Sequence, residues 1–195
     1  MDEVKVIENI KQGNKEAFSY LIDKYQDYIF KIMLGFVHRK DLAEDLTQEV
    51  FIKVWWNIDK YKPIAKFSTW LYKIAVNTAI NYLRKEKREH LFTDINKQEE
   101  EQMQQISIDS NFKAHRSFEA DTKTENAELA HILHRAIASL PKRQRIAFVL
   151  VNYMNMNYKD IAEVLDTTYS TVQSLIFRAK RNLQKQLLKF MNNEM

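Results

Sequence analysis

Apolar residues recur at three- and four-residue steps through most of the chain, and the places where that rhythm fails divide it. Phe18, Leu21, Ile22, Tyr25, Ile29, Ile32 and Met33 form one stripe, which predicts a helix from Ala17 onward. Leu42, Leu46, Val50, Phe51, Val54, Trp55 and Ile58 form a second, from near Asp41 to about Ile58. Trp55 continues that stripe, so its neighbour Trp56 is expected to be exposed or at an interface. The pattern breaks around Pro63, because a proline disfavours helix at the residue before it. Ser68 or Thr69 is expected to cap a third helix, which runs through Leu71, Ile74, Ala75, Ala79, Tyr82 and Leu83 to about Lys87. From Glu89 to Glu125 the sequence is polar, acidic and without sustained periodicity, and reads as a linker with at most a short helical piece.

Periodicity resumes at Glu125 or Asn126. Leu129, Ile132, Leu133, Ala136, Ile137 and Leu140 make a stripe that stops at Pro141, and Ile146, Ala147, Val149, Leu150 and Tyr153 make the next. The last two elements form a recognisable pair. Ile161, Ala162 and Leu165 face inward from a short helix, Asp166 to Tyr169 interrupt it, and Ser170 or a neighbour caps a longer helix. Val172, Ile176, Ala179, Leu183 and Leu187 line the core side of that longer helix. Ala162 is small where two helices must cross closely, as a helix-turn-helix requires. The expected fold is therefore all-α: two small helical domains joined by a flexible acidic linker, the C-terminal one a helix-turn-helix. The expected boundaries are 1–90, 91–125 and 126–195.

Composition narrows the class further. Only 2 glycines and 2 prolines leave little for a turn-rich β architecture. No cysteine means no disulfide and no thiolate zinc site, which fits a reducing compartment. The N-terminus has no continuous apolar core of the signal-peptide kind, and no long uncharged apolar run is present to insert in a membrane. A cytoplasmic protein is expected. Net charge is +4, divided as +3 over residues 1–90, −5 over 91–130 and +6 over 131–195. No acidic residue lies between Thr167 and Asn193. Thr171, Gln173, Ser174, Phe177, Arg178, Lys180 and Arg181 occupy the outward side of the last helix. Short polar groups can reach base edges in a major groove, and arginines can pair with guanine or phosphate. DNA binding follows from that combination.

Two regions of the N-terminal half differ in character. Asp41, Glu44, Asp45, Gln48 and Lys53 lie off the apolar stripe of the second helix, with Glu49 at its border, a polar and mostly acidic face. Such a face repels phosphates and suits a basic protein partner. The third helix carries Lys73, Asn77, Arg84, Lys85, Lys87 and Arg88 beside Trp70 and Tyr72. Cations next to aromatic rings suit single-stranded DNA, where stacking returns ~1–3 kcal/mol per base. That is comparable with the few kcal/mol needed to unstack one. Trp70 is read first as a packing residue and second as a DNA contact.

Three motifs in order resemble the extracytoplasmic-function group of bacterial sigma factors, over nearly the whole chain outside the linker. Asp41-Leu42-Ala43-Glu44-Asp45-Leu46-Thr47-Gln48-Glu49-Val50-Phe51 with Val54-Trp55 resembles the family's polymerase-binding helix. Phe67-Ser68-Thr69-Trp70-Leu71-Tyr72-Lys73-Ile74-Ala75-Val76-Asn77 with Leu83-Arg84-Lys85 resembles its −10 segment. Leu140-Pro141 with Arg145, Tyr158 with Ile161-Ala162, and Thr171-Val172, Ser174 and Arg178-Ala179 resemble its −35 domain. The resemblance implies that Asp41, Glu44, Asp45, Gln48 and Glu49 bind core RNA polymerase. It implies that Lys66, Trp70, Lys73, Asn77, Asn81, Arg84, Lys85 and Arg88 meet −10 DNA. It assigns Arg145, Thr171, Gln173, Ser174, Phe177, Arg178 and Arg181 to −35 DNA. It also implies an anti-sigma partner, and a linker threaded toward the polymerase active-site cleft. No cofactor and no metal are expected.

The sequence departs from the family in places. Asn81 replaces a common Asp. Asn155, Asp166 and Ser170 stand where Gly is frequent, and Gln173 and Leu175 where a basic residue is frequent. Gln reads adenine better than guanine, so the −35 preference is expected to shift, and two missing cations flatten the salt dependence. The rival reading is a free-standing helix-turn-helix regulator, but the acidic and basic helices side by side suit a bridge between polymerase and DNA better than a ligand domain. An enzyme is disfavoured: Asp41, Glu44, Asp45 and Glu49 could share a cation, yet no second carboxylate cluster or histidine joins them.

Overall fold

The computed structural model describes residues 3–100 and 124–193. Among these residues all regular structure is helical. The N-terminal half comprises α1 (Glu3–Lys11), α2 (Lys15–Val37), α3 (Lys40–Asn57), a short 3-10 turn (Ile58–Lys60) and α4 (Phe67–Glu100). The C-terminal half comprises α5 (Thr124–Ala138), α6 (Lys142–Asn152), α7 (Tyr158–Val164) and α8 (Tyr169–Asn193).

The stripes read from the sequence become the core. Ile29, Ile32, Met33, Val50, Val54 and Leu71 have no exposed surface. Each such apolar side chain contributes about 1.5–3 kcal/mol relative to exposure. The ends of α2 are set locally: the Asn14 side chain accepts from the Ala17 N–H at 3.0 Å, and His38 turns the chain left-handed at φ 54°. An extra element precedes it. In α1, Val6, Ile7 and Ile10 are buried against the same core, three apolar positions masked in the sequence by the charges between them.

Two ends differ from expectation. α4 begins at Phe67, not at a Ser68 or Thr69 cap, and the Thr69 hydroxyl is engaged elsewhere. It runs on to Glu100, ten residues into the stretch read as linker, which holds no Gly or Pro to stop it. The cap of α8 is Thr168, whose Oγ1 accepts from the Thr171 N–H at 3.2 Å, rather than Ser170. Asn155 and Asp166 take left-handed backbone at φ 49° and 47°. Ser170 lies inside α8 and needs no such freedom.

The two halves touch. Ile146, Ala147, Val149 and Leu150 of α6 and Ile161 of α7 share one core with α1–α4. Ala136, Ile137, Leu140, Ala179 and Leu183 form a second cluster between α5 and α8. Gly35 is where α2 meets α6: a Cβ there would lie 2.8 Å from Val149 Cγ1 and 3.0 Å from Tyr153 Cγ. Only a residue without a side chain permits that approach.

Candidate nucleic-acid and polymerase interfaces

On α3, Asp41, Glu44, Asp45, Gln48 and Glu49 are all exposed while Leu46, Val50 and Val54 anchor the opposite side. Asp41 pairs with Arg39 at 2.7 Å. That hydrogen bond holds its carboxyl below the usual range. Glu49 pairs with Lys53 at 2.5 Å. The acidic strip continues into Ile52, 57% exposed, and Trp56, 76% exposed, which repeat at the same helical spacing. Trp56 was expected outside the core; Ile52 was missed, because one apolar residue off a stripe carries no sequence signal.

Between α3 and α4 lies an open cleft of about 400 Å³. From α4 it is lined by Trp70, Ile74, Asn77, Thr78 and Asn81, and from the α3 side by Lys53, Asn57 and Lys60. Trp70 packs, as read first from the sequence, and also reaches the cleft. Its ring packs 5.6 Å from Phe67 and from Tyr61, and it remains half-buried at the cleft wall. Lys53 Nζ donates to Thr78 Oγ1 at 3.1 Å and Arg84 to Asn81 Oδ1 at 3.2 Å. The cleft thus presents cations, amides and an aromatic wall, which suits an unstacked base and its phosphates. Lys53, Asn57 and Lys60 were not expected here; they sit on a different element from the −10 motif. Arg84, Lys85 and Arg88 lie exposed farther along α4, beyond the cleft.

Lys66 and Lys73 are not part of that cleft. Lys73 Nζ lies 2.5 Å from Asp166 Oδ1, and Lys66 Nζ 3.8 Å from Asp160 Oδ1. Thr69 Oγ1 donates to Glu163 Oε2 at 3.3 Å. The first turns of α4 are therefore covered by α7.

On α8, Gln173, Ser174, Phe177, Arg178 and Arg181 are exposed and Thr171 is half-buried, with Val172, Ile176 and Ala179 on the core side. Arg178 and Arg181, with Lys185 and Lys189, border an open groove between α6 and α8, where Asn182 donates to Gln144 at 2.8 Å. Arg145 stands apart from this set. It is only 9% exposed, its guanidinium donates to the Phe36 carbonyl and lies over the Phe36 ring. Burial pushes its pKa down to about 10. In this arrangement it faces the N-terminal half and cannot reach DNA. The resemblance located its helix but not which side the other domain covers.

Beside it, His38 and His134 stack at 4.0 Å between ring centres. Burial, then the neighbouring His134 and Arg145, pushes the His38 pKa down to about 3, so it is neutral at ordinary pH. Among the described residues no group of three His, Cys, Asp or Glu gathers to hold a metal, and no helix is long and apolar enough to cross a membrane.

An all-helical chain with a helix-turn-helix at one end and a cationic, aromatic cleft beside an acidic helix at the other has the build of a sigma-70-type transcription factor. Residues 21–89 match Sigma-70 region 2 and residues 130–183 match Sigma-70 region 4. The chain is 32% identical to the ECF RNA polymerase sigma-E factor of Haemophilus influenzae, over 93% of each chain. It is 33% identical to the RNA polymerase sigma-H factor of Pseudomonas aeruginosa, over 94% of this chain and 92% of that one. It belongs to the extracytoplasmic-function family of RNA polymerase sigma factors, proteins that recognise promoters. Its fold is that of CnrH, solved in complex with the cytosolic domain of CnrY, at TM-score 0.64 and 19% identity over 95% of this chain and 96% of that one. A second solved relative is the Bartonella quintana sigma factor RpoE, in complex with the anti-sigma factor NepR. It has TM-score 0.57 and 21% identity over 87% of this chain and 96% of that one.

Proposed function

We propose that this chain works in the cytoplasm as a non-catalytic specificity subunit, with its parts divided as follows. Residues 1–90 dock on core polymerase and take the −10 strand, residues 126–195 read the −35 duplex, and residues 91–125 connect them. Asp41, Glu44, Asp45, Gln48 and Glu49 meet a basic polymerase surface, with Ile52 and Trp56 as apolar anchors at the end of the same strip. The α3–α4 cleft receives an unstacked −10 base against Trp70, held by Asn77, Asn81 and Lys53, while Arg84, Lys85 and Arg88 follow the strand's phosphates. α8 enters the major groove with Thr171, Gln173, Ser174 and Phe177 toward base edges and Arg178 and Arg181 toward guanine or phosphate.

The observation that carries the reading is the segregation of charge. The exposed acidic strip of α3 and the cationic cleft against α4 adjoin at the Glu49–Lys53 pair and present opposite charge to different partners, so polymerase and DNA can be held at once. The solved structure of RpoE bound to the anti-sigma factor NepR supports an anti-sigma partner for this chain as well.

The test is association with core RNA polymerase from a related bacterium, followed by size-exclusion chromatography. The chain comigrates with the enzyme, and Asp45→Arg with Gln48→Ala loses comigration while remaining helical by circular dichroism. A chain that elutes alone at micromolar concentration, yet binds duplex operator DNA unaided, contradicts the division of labour and supports an independent regulator.

A further inference from the structure

The exposed side of α8 carries two rows of side chains, not one. Ser174, Arg178 and Arg181 supply donors along the first. Tyr169, Gln173 and Phe177 recur at four-residue steps along the second, which reads aromatic, amide, aromatic. Tyr169 keeps 53% of its surface exposed and Phe177 67%. A helix that only gripped phosphates would gain nothing from two bare rings, each of which forgoes the free energy of burial.

The first of these rings is set in place by both helices of the helix-turn-helix. It lies 5.9 Å from the Tyr158 ring, at 47° to it. Tyr158 opens α7 directly after the Asn157 cap, whose side chain accepts from the Asp160 N–H at 2.9 Å. A tyrosine has few rotatable bonds, so a ring held this way loses little further freedom on meeting a ligand. The hydroxyls beside it are already engaged. Thr168 Oγ1 lies 3.1 Å from Ser170 Oγ and 2.9 Å from Thr171 Oγ1, and it accepts from the Thr171 N–H. A base edge that took those hydroxyls would have to compete with the cap of α8. Discrimination at the entry of the helix falls instead to the row of rings and amide.

That row matches one kind of base pair. Thymine alone carries an apolar group, its 5-methyl, into the major groove, and glutamine pairs with N6 and N7 of adenine. Side chains three or four residues apart on a groove-bound helix meet successive bases. We propose that α8 reads its −35 duplex through thymine methyl groups: Tyr169 and Phe177 cover methyls on either side of an adenine met by Gln173. Tyr169 is then a specificity-determining residue outside the set that its motif assigns. The inference rests on α8 entering the major groove, and it adds the chemical class of the sequence read there. It also divides the labour within the helix. Apolar contacts with methyl groups set the preference and are indifferent to salt, while the arginine row holds the duplex and is sensitive to it.

The test uses holoenzyme assembled from this chain and core polymerase, with promoter duplexes it selects from a library randomised upstream of the start site. Each thymine of the upstream block is replaced in turn by deoxyuridine, which removes the methyl group and keeps every hydrogen-bonding group. Affinity, read by fluorescence anisotropy, should fall about fourfold at each of two positions that flank one adenine. That ratio should hold from low to moderate salt while the absolute affinity falls. Tyr169→Ala should weaken binding to the thymine duplex by a similar factor and abolish the response at one of the two positions. Phe177→Ala should abolish it at the other, and Tyr169→Phe should retain both responses.

Deoxyuridine tolerated at every position, with the upstream block still required, overturns the inference and leaves the proposed function standing. A loss on Tyr169→Ala that is equal for thymine and deoxyuridine duplexes overturns it too, since a merely structural role predicts that result. Holoenzyme that selects no upstream block overturns both readings.

Discussion

α4 and α8 are the two long helices proposed to meet DNA, and both set a core stripe against a row of donors. They differ in what lies on the donors. Along α8 the row from Thr171 to Arg181 is open, with Phe177 67% exposed and no acidic residue within the helix up to Asn193. At the start of α4, Lys66, Thr69 and Lys73 are met by Asp160, Glu163 and Asp166. The C-terminal excess of positive charge thus conceals a segregation: from residue 131 to 193 the acid lies on α7 and the turn after it and faces the other half, while α8 bears cations and faces solvent. Regional net charge predicts a polyanion partner but not which surface is available to it.

The comparison can be broken at several points. The largest effect is expected on α8. Arg178→Ala with Arg181→Ala removes two duplex contacts, each worth about 1–3 kcal/mol where it reads a base. Binding of assembled holoenzyme to promoter duplex should fall by roughly tenfold or more, with a shallower salt dependence, as read by fluorescence anisotropy across a salt series. Lys73→Ala should change binding by the free chain much less, because Lys73 is already paired.

Next comes Gly35→Ala, which places a methyl group 2.8 Å from Val149 Cγ1. Overpacking of this kind costs about 1–3 kcal/mol against the packing of α6 on α2. The helix interior itself gains up to about 1 kcal/mol from the better helix former. A larger radius of gyration by small-angle scattering, with unchanged helicity, is the expected pair of readouts.

Acid should loosen the same junction. His38 is held neutral by burial, with His134, Arg145 and Tyr153 around it and Glu86 acting on Arg145. Its folded pKa, about 3, lies below the usual 6.5. The unfolded or separated chain therefore binds the extra proton between those values. Stability of the junction is full above about pH 6.5 and declines as pH falls toward 3. Thermal unfolding followed across that pH range checks this, and His38→Gln should flatten the dependence. The smallest effect is expected at Asn155→Gly, which relieves left-handed backbone at φ 49°. It should raise stability by less than about 1 kcal/mol in thermal unfolding, without changing the separation of the halves.

Most helices were legible because each buries one stripe, and burial is what periodicity records. α1 was not, since only three buried residues, set among Lys5, Glu8 and Lys11, mark it over nine positions. The open face of α8 was readable because its exposure follows from its own core stripe. The α3–α4 cleft was only half readable: Asn77 and Asn81 belong to the motif, but Lys53, Asn57 and Lys60 reach it from another element. The burial of Arg145 and the contacts of the α7 acids were not legible for one reason. Their partners, Phe36 and Lys73, lie 109 and 93 residues away in sequence, and no local pattern records a contact between domains.

The central claim is that one chain reads two promoter elements through two separate surfaces. It is tested most directly by run-off transcription with core polymerase on a template library randomised upstream of the start site, followed by sequencing of the productive templates. The account predicts two enriched sequence blocks at fixed spacing. The upstream block is lost with Arg178→Ala and Gln173→Ala, and the downstream block with Asn77→Ala and Trp70→Ala. A single block, or two blocks that both respond to the same pair of substitutions, contradicts it.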